Sequence, residues 1–126
     1  MDHISEMLEA VSKASGIKKI GRLGAGDSIS ILPAGGRVIR RYLDGSEKSA
    51  LVIQLLARGT EQKAVIARIS EAADGIVSKA RSLNGAAWQI FSAKLAANPS
   101  PIVAEPNGSY IYQGQVVLVY NKHKEE

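Results

Sequence analysis

Apolar residues recur along this chain with two periods. In residues 2–14, Ile4, Met7, Leu8 and Val11 fall at i, i+3, i+4 and i+7, one apolar stripe that predicts a helix. Asp2 and Glu6 near its positive end, Lys13 near its negative end and Gly16 just beyond it fit a helix start and stop. From residue 27 the period shortens. Residues 27–59 read as a meander of three strands, with turns at Pro33-Ala34-Gly35-Gly36 and Asp44-Gly45-Ser46, where glycine tolerates the positive φ that short connections demand. The first strand alternates Ile29 and Ile31 with Ser28 and Ser30, as a half-exposed strand does. The second, residues 37–43, carries Arg37, Arg40 and Arg41 on both faces, which suits an edge or protruding strand. The third, residues 50–57, is apolar at nearly every position and predicts a central strand buried on both faces.

Thr60 is placed to cap a helix over residues 61–81, with Ile66, Ile69, Ala73, Ile76, Val77 and Ala80 inward and Glu61, Lys63, Arg68, Glu71 and Lys79 outward. Asp74-Gly75 is a weak point in it, costing on the order of 1 kcal/mol against alanine, and a site for a bend. Asn84-Gly85 is a stop signal. Residues 86–98 fit two readings. Trp88, Phe91 and Leu95 lie on a helical stripe among alanines, while Trp88-Gln89-Ile90-Phe91-Ser92 also suits a strand; periodicity favours the helix. Pro99 and Pro101 predict an extended bend before a short extended piece at 102–105 and a turn at Pro106-Asn107-Gly108-Ser109. The last strand, 110–120, puts Tyr110, Tyr112, Val116, Leu118 and Tyr120 on one face, ahead of a polar tail at 121–126. Residues 17–23 are a short strand or an extended connection. The expected architecture is α+β: a mainly antiparallel sheet, the three-strand meander plus C-terminal strands, covered by two helices on one face.

Composition narrows the function classes. At 126 residues, 45% hydrophobic and 22% charged, the chain is expected to form one domain, residues 1–126, with a core of its own. It has no cysteine, which removes disulfides and thiolate metal sites. The acidic start, MDHISEMLEAVSK, argues against a signal peptide, and no apolar run approaches the ~20 residues that span a bilayer. The net charge of +4 fits either a polyanionic neighbour or an ordinary solvated surface.

The search for chemistry yields no catalytic, cofactor or metal residues. The two histidines, His3 and His123, lie near the termini, and neither metal-binding nor nucleophile-elbow motifs occur. Asp27, Asp44 and Asp74 read as turn or breaker residues, and a paired acid site from Asp44 and Glu47 has no supporting partner. The glycine-rich run 21–26 invites a phosphate-loop reading but lacks the Lys-Ser/Thr and the following helix. Asn107-Gly108-Ser109 matches a glycosylation sequon and reads as a turn. Two non-catalytic readings stand. As a small basic nucleic-acid-binding module, the chain would use Arg37, Arg40, Arg41 and Tyr42 on phosphates, with Tyr110 and Tyr112 stacking; otherwise the arginines flank an exposed edge and the tyrosines belong to the core. As an assembly protein, it would offer its sheet edge and charged loops to other subunits.

Four features together resemble the tail-terminator family, the small minor capsid proteins of long-tailed bacteriophages. They are the hairpin at Gly35-Gly36-Arg37, Tyr42 with Asp44-Gly45-Ser46, the helix entry Arg58-Gly59-Thr60-Glu61-Gln62-Lys63, and Tyr110-x-Tyr112 in the closing strand. The resemblance covers most of the chain from about residue 27. It implies a virion protein, made in the bacterial cytoplasm, that forms a ring, typically a hexamer, at the end of the tail tube. There it stops polymerisation and meets head-completion proteins, while genome DNA passes through the lumen without specific binding. It implies no enzyme activity, no cofactor and no membrane, and it favours strand over helix at 88–95. Under it, Arg37, Arg40, Arg41, Asp44, Glu47 and Lys48 are the expected subunit or tube interface, because charged, solvated loops give orientation-specific pairing.

Overall fold

The computed structural model describes residues 3–17, 19–21, 23, 27–85 and 87–123. The chain runs α1 (His3–Ser15), β1 (Lys19–Ile20), β2 (Ser28–Arg41), β3 (Glu47–Gly59), α2 (Gln62–Lys79), a 3-10 turn (Ala80–Ser82), β4 (Trp88–Ala104) and β5 (Tyr110–Lys122). The strands form one sheet in the order β1-β2-β3-β5-β4. All neighbours are antiparallel except β1, which adds two residues in parallel to β2. The β4–β5 hairpin folds back so that β5, not β4, lies beside β3, in register from Glu47↔Lys122 to Gly59↔Tyr110 without a break.

Alternation decides which face is covered. On β3, Ser49, Leu51, Ile53, Leu55 and Ala57 are buried while the residues between them are half-buried, and β5 repeats the pattern with Tyr112, Val116, Leu118 and Tyr120. α2 lies across this face, packed on β3, β4 and β5, and α1 packs on α2. α2 buries Val65, Ile69, Ala72, Ala73 and Ile76; α1 buries Met7, Leu8 and Val11. Gly114 lets α2 sit this close, since a Cβ there would lie 2.7 Å from Ile69 Cγ2. Two helices on one face of an antiparallel sheet is the architecture the sequence predicts. The buried strip on β5 is the predicted one.

Six local expectations are corrected. Pro33-Ala34-Gly35-Gly36 is no turn, so the meander has two strands where three were expected. β2 continues through this point, shifting register between Pro33↔Ile53 and Gly36↔Leu51, and Gly35 at φ 117° absorbs the extra residue as a bulge. β3 is central but not buried on both faces, because no element of the described chain covers its second face. Thr60 does not cap α2; Glu61 holds the N-cap position without a side-chain hydrogen bond. Asp74-Gly75 lies within continuous helix, and Gly75 is where the end of α1 approaches, with Ala14 O 3.7 Å from an ideal Cβ. Residues 88–95 are strand, as the resemblance implies and periodicity does not. Trp88 and Ile90 are buried on the helix side, whereas Phe91 and Leu95, assigned inward on a helix, are exposed. β4 also runs through Pro99 and Pro101 with register shifts instead of bending away, which an edge strand tolerates because the missing N–H faces outward.

Candidate interaction surface

The β2–β3 hairpin carries all six interface candidates from the sequence. Its tip closes through Tyr42 N–H to Ser46 O at 2.9 Å and Gly45 N–H to Tyr42 O at 3.0 Å, with Gly45 at φ 89°. Asp44 completes the turn: its Oδ1 accepts from the Ser46 backbone N–H at 2.9 Å and from the Ser46 hydroxyl at 2.6 Å. These bonds, the hydroxyl first, hold its carboxyl below the usual aspartate value. From Pro33 to Gly45 every residue is exposed. Large apolar side chains share this exposure: Val38, Ile39 and Tyr42 stand 42–46% exposed, and Leu43 is fully so. Ile39 is the extra residue of a second bulge, between Val38↔Ser49 and Arg40↔Lys48.

Register separates the candidates into groups. Cross-strand partners share a face. Glu47, in phase with buried Ser49, belongs to the covered side, where its carboxylate accepts from Arg41 Nε at 3.1 Å. Arg40 pairs with Lys48, and Arg37 with Ala50; these positions alternate with the buried ones and belong to the open face. Following the ladders across the sheet gives open-face rows. The first is Arg40, Lys48, Asn121 and Gln89; the second Arg37, Ala50, Val119 and Ser92; the third Val52, Val117 and Lys94. Two uncharged rows follow, holding Gln54 and Gln115, then Leu56 and Gln113, with Gln54 Nε2 donating to Gln113 Oε1. None of these positions holds a carboxylate. The next row is different: Arg58 Nε donates to Glu105 at 2.8 Å. Lys48 Nζ lies 4.9 Å from the centroid of the Phe91 ring.

Lys94 is the residue that sequence reasoning missed. On a helical reading of 86–98 it lies nowhere near Arg37. Only a strand at 88–95, placed beyond β5, brings the two onto one face, and period-two alternation from Trp88 is the signal that could have found it.

Other sequence candidates resolve differently. Tyr112 is buried on the covered face and its hydroxyl donates to Gln62 Oε1 at 3.2 Å; Tyr110 is half-buried beside it. A stacking role on the open face is therefore closed to both. His3 is held in α1, its Nε2 3.1 Å from the Tyr120 hydroxyl, at one end of a cleft of about 480 Å³ lined also by Ile4, Val38 and Leu51. Burial pushes the Tyr120 hydroxyl up, with Glu47 adding to the rise and a hydrogen bond with Ser49 opposing it. Most of the glycine-rich run at 21–26 lies outside the described residues, as do 124–126 of the polar tail. Among the described residues no three His, Asp or Glu side chains converge as a metal site would need, and no helix is long and apolar enough to cross a membrane.

No protein-family model matches the chain, and no curated protein does. Among solved structures, 29 chains match. One of them, from the virion of a native gene transfer agent particle, is similar to this chain at a TM-score of 0.58 and 10% identity, over 88% of this chain and 84% of that one. At that identity the likeness is one of fold, and it spans nearly the whole of both chains.

Proposed function

We propose that this chain is a structural protein of a phage-like particle, a tail terminator that closes into a ring on the last ring of a tail tube and presents a surface to head-completion proteins. The observation that carries this reading is the uncovered hairpin, Val38, Ile39, Tyr42 and Leu43, on a fold shared with a chain of a gene transfer agent virion. Exposed large apolar side chains gathered on one projecting element mark an interaction site, not a solvated turn. The two sheet edges add to it. Among the described residues β2 is free beyond Ile31, and β4 is free on its outer side after Ile90, its first residues being bridged by Leu83 and Asn84, so one subunit offers two different edges. A contact between unlike surfaces is heterologous, and repeated by rotation it closes into a ring. Arg41, Asp44 and Glu47 then act as orienting charges around an apolar contact, and the role needs neither a catalytic group nor a cofactor.

Native mass spectrometry with electron microscopy of the purified protein tests this reading. Closed six-membered rings are expected, and Leu43→Asp is expected to return them to folded monomers. Charge reversal at Arg40 and Arg41 is expected to weaken assembly with little change in thermal stability. A protein that stays monomeric at all accessible concentrations and with tube protein present, or rings indifferent to Leu43→Asp, would overturn it.

A further inference from the structure

The open sheet face, over its three rows nearest the hairpin tip, is a cationic tract whose positions hold no carboxylate, and we infer that it contacts the phosphate backbone of duplex DNA. Arg37, Arg40, Lys48 and Lys94 come from three strands and meet in three successive rows of that face. Rows two residues apart lie about 7 Å from one another. Among the described residues none of the four is paired with a carboxylate. The nearer acids are engaged elsewhere: Glu47 with Arg41 on the covered side, Asp44 with Ser46 in the hairpin turn, and Glu105 with Arg58 farther along the open face; Glu6, Glu9, Glu71 and Asp74 are on the helices.

Four like charges on one face repel each other, and a folded chain gains nothing from that arrangement alone. A polyanion removes the repulsion. Charge spacing and side-chain chemistry favour a duplex over an acidic protein. A duplex carries one charge per ~1.7 Å of axis, so a rod lying along the strands meets every row whatever its sequence. An acidic protein must match each cation with a placed carboxylate. Gln54, Gln113 and Gln115 continue the face with groups that both donate and accept, which suits sugar and phosphate oxygens and selects no base. Single strands are disfavoured because they bind through aromatic platforms. Tyr110 and Tyr112 are on the other face, and the Phe91 ring at the β4 side is held by Lys48. The biological source of the duplex rests on the particle reading above. The face itself rests on register and charge.

The test is fluorescence anisotropy of a labelled 20-base-pair linear duplex of mixed sequence, titrated with the full chain from 50 to 200 mM salt. Four phosphate contacts predict a slope of log K against log salt of about −3.6, hence a loss on the order of 100-fold across that range. Lys94→Gln and Arg37→Gln are each expected to make the slope shallower by about one unit, and Lys63→Gln, on the exposed side of α2, to leave it unchanged. Absence of binding at 50 mM salt, equal losses in Lys63→Gln, tighter binding of single-stranded DNA, or displacement by polyglutamate at matched charge would each overturn the assignment. Native mass spectrometry of the same variants separates the two readings. Intact rings without DNA binding leave the terminator standing and remove the DNA face; binding by a monomer does the reverse.

Discussion

The two faces of the sheet are built from the same four long strands and have opposite characters. On the covered face, apolar side chains of β3 and β5 are sealed under α2. On the open face, one residue along each strand, aliphatic side chains of similar size, such as Val52 and Val117, are only half-buried and share the surface with glutamines and cations. Hydrophobicity alone does not separate the two. Leu56 is as apolar as Leu55, but only Leu55 has a helix above it. A covered face makes the fold stable, and an open one leaves material for a partner.

That contrast can be broken by experiment, beginning with the largest effect. Leu55→Ala is expected to cost about 2–5 kcal/mol in urea unfolding, since the cavity opens in a packed layer. Val52→Ala, on the other face, is expected to cost under about 1 kcal/mol in the monomer, because its side chain is already partly hydrated. Comparable losses would mean that the open face is covered in solution. Gly114→Val is expected to lose about 1–3 kcal/mol by forcing α2 off the sheet. The mirror change one residue along, Gln113→Val, points to the open face and is expected to be tolerated apart from the lost Gln54 hydrogen bond.

The smallest effects lie in pH dependence, and the two regions respond at opposite ends. Asp44 has its carboxyl lowered from 3.8 by Ser46, so the turn's contribution is present above that value and is lost as pH falls through the lower folded value. Asp44→Asn is expected to flatten the acid limb of an unfolding-against-pH profile. Tyr120, on the covered face, is raised above 10.0, chiefly by burial. Its contribution is complete below pH 10 and is lost as pH rises through the higher folded value, so Tyr120→Phe is expected to flatten the alkaline limb.

Much of this fold is legible in the residues. The stripe Ile4, Met7, Leu8, Val11 marks α1, and the alternation Tyr112, Val116, Leu118, Tyr120 marks a one-sided strand. The turn at Asp44-Gly45-Ser46 is legible because glycine at positive φ and an aspartate that bonds two residues on are both local devices. Pro33-Ala34-Gly35-Gly36 misleads because the same residue types serve a bulge, and only pairing with β3 tells a bulge from a turn. Trp88 to Leu95 misleads because spacing three and four apart also arises by chance in a strand with irregular register. The candidate surface is half legible: Arg37, Arg40 and Lys48 are visible as charges on a hairpin, but nothing local joins them to Lys94.

By itself, the sequence determines the elements and their inward sides, since periodicity and turn chemistry act over a few residues. It also determines the absence of cysteine and the excess of basic over acidic residues. Tertiary structure alone decides which strand lies beside which. The insertion of β5 between β3 and β4 is a long-range choice, and α2 packs across all three of these strands. That choice brings Lys94 onto the face where the β2–β3 hairpin already sets Arg37, Arg40 and Lys48, because side-chain direction in a sheet is fixed by register, here between strands distant in sequence.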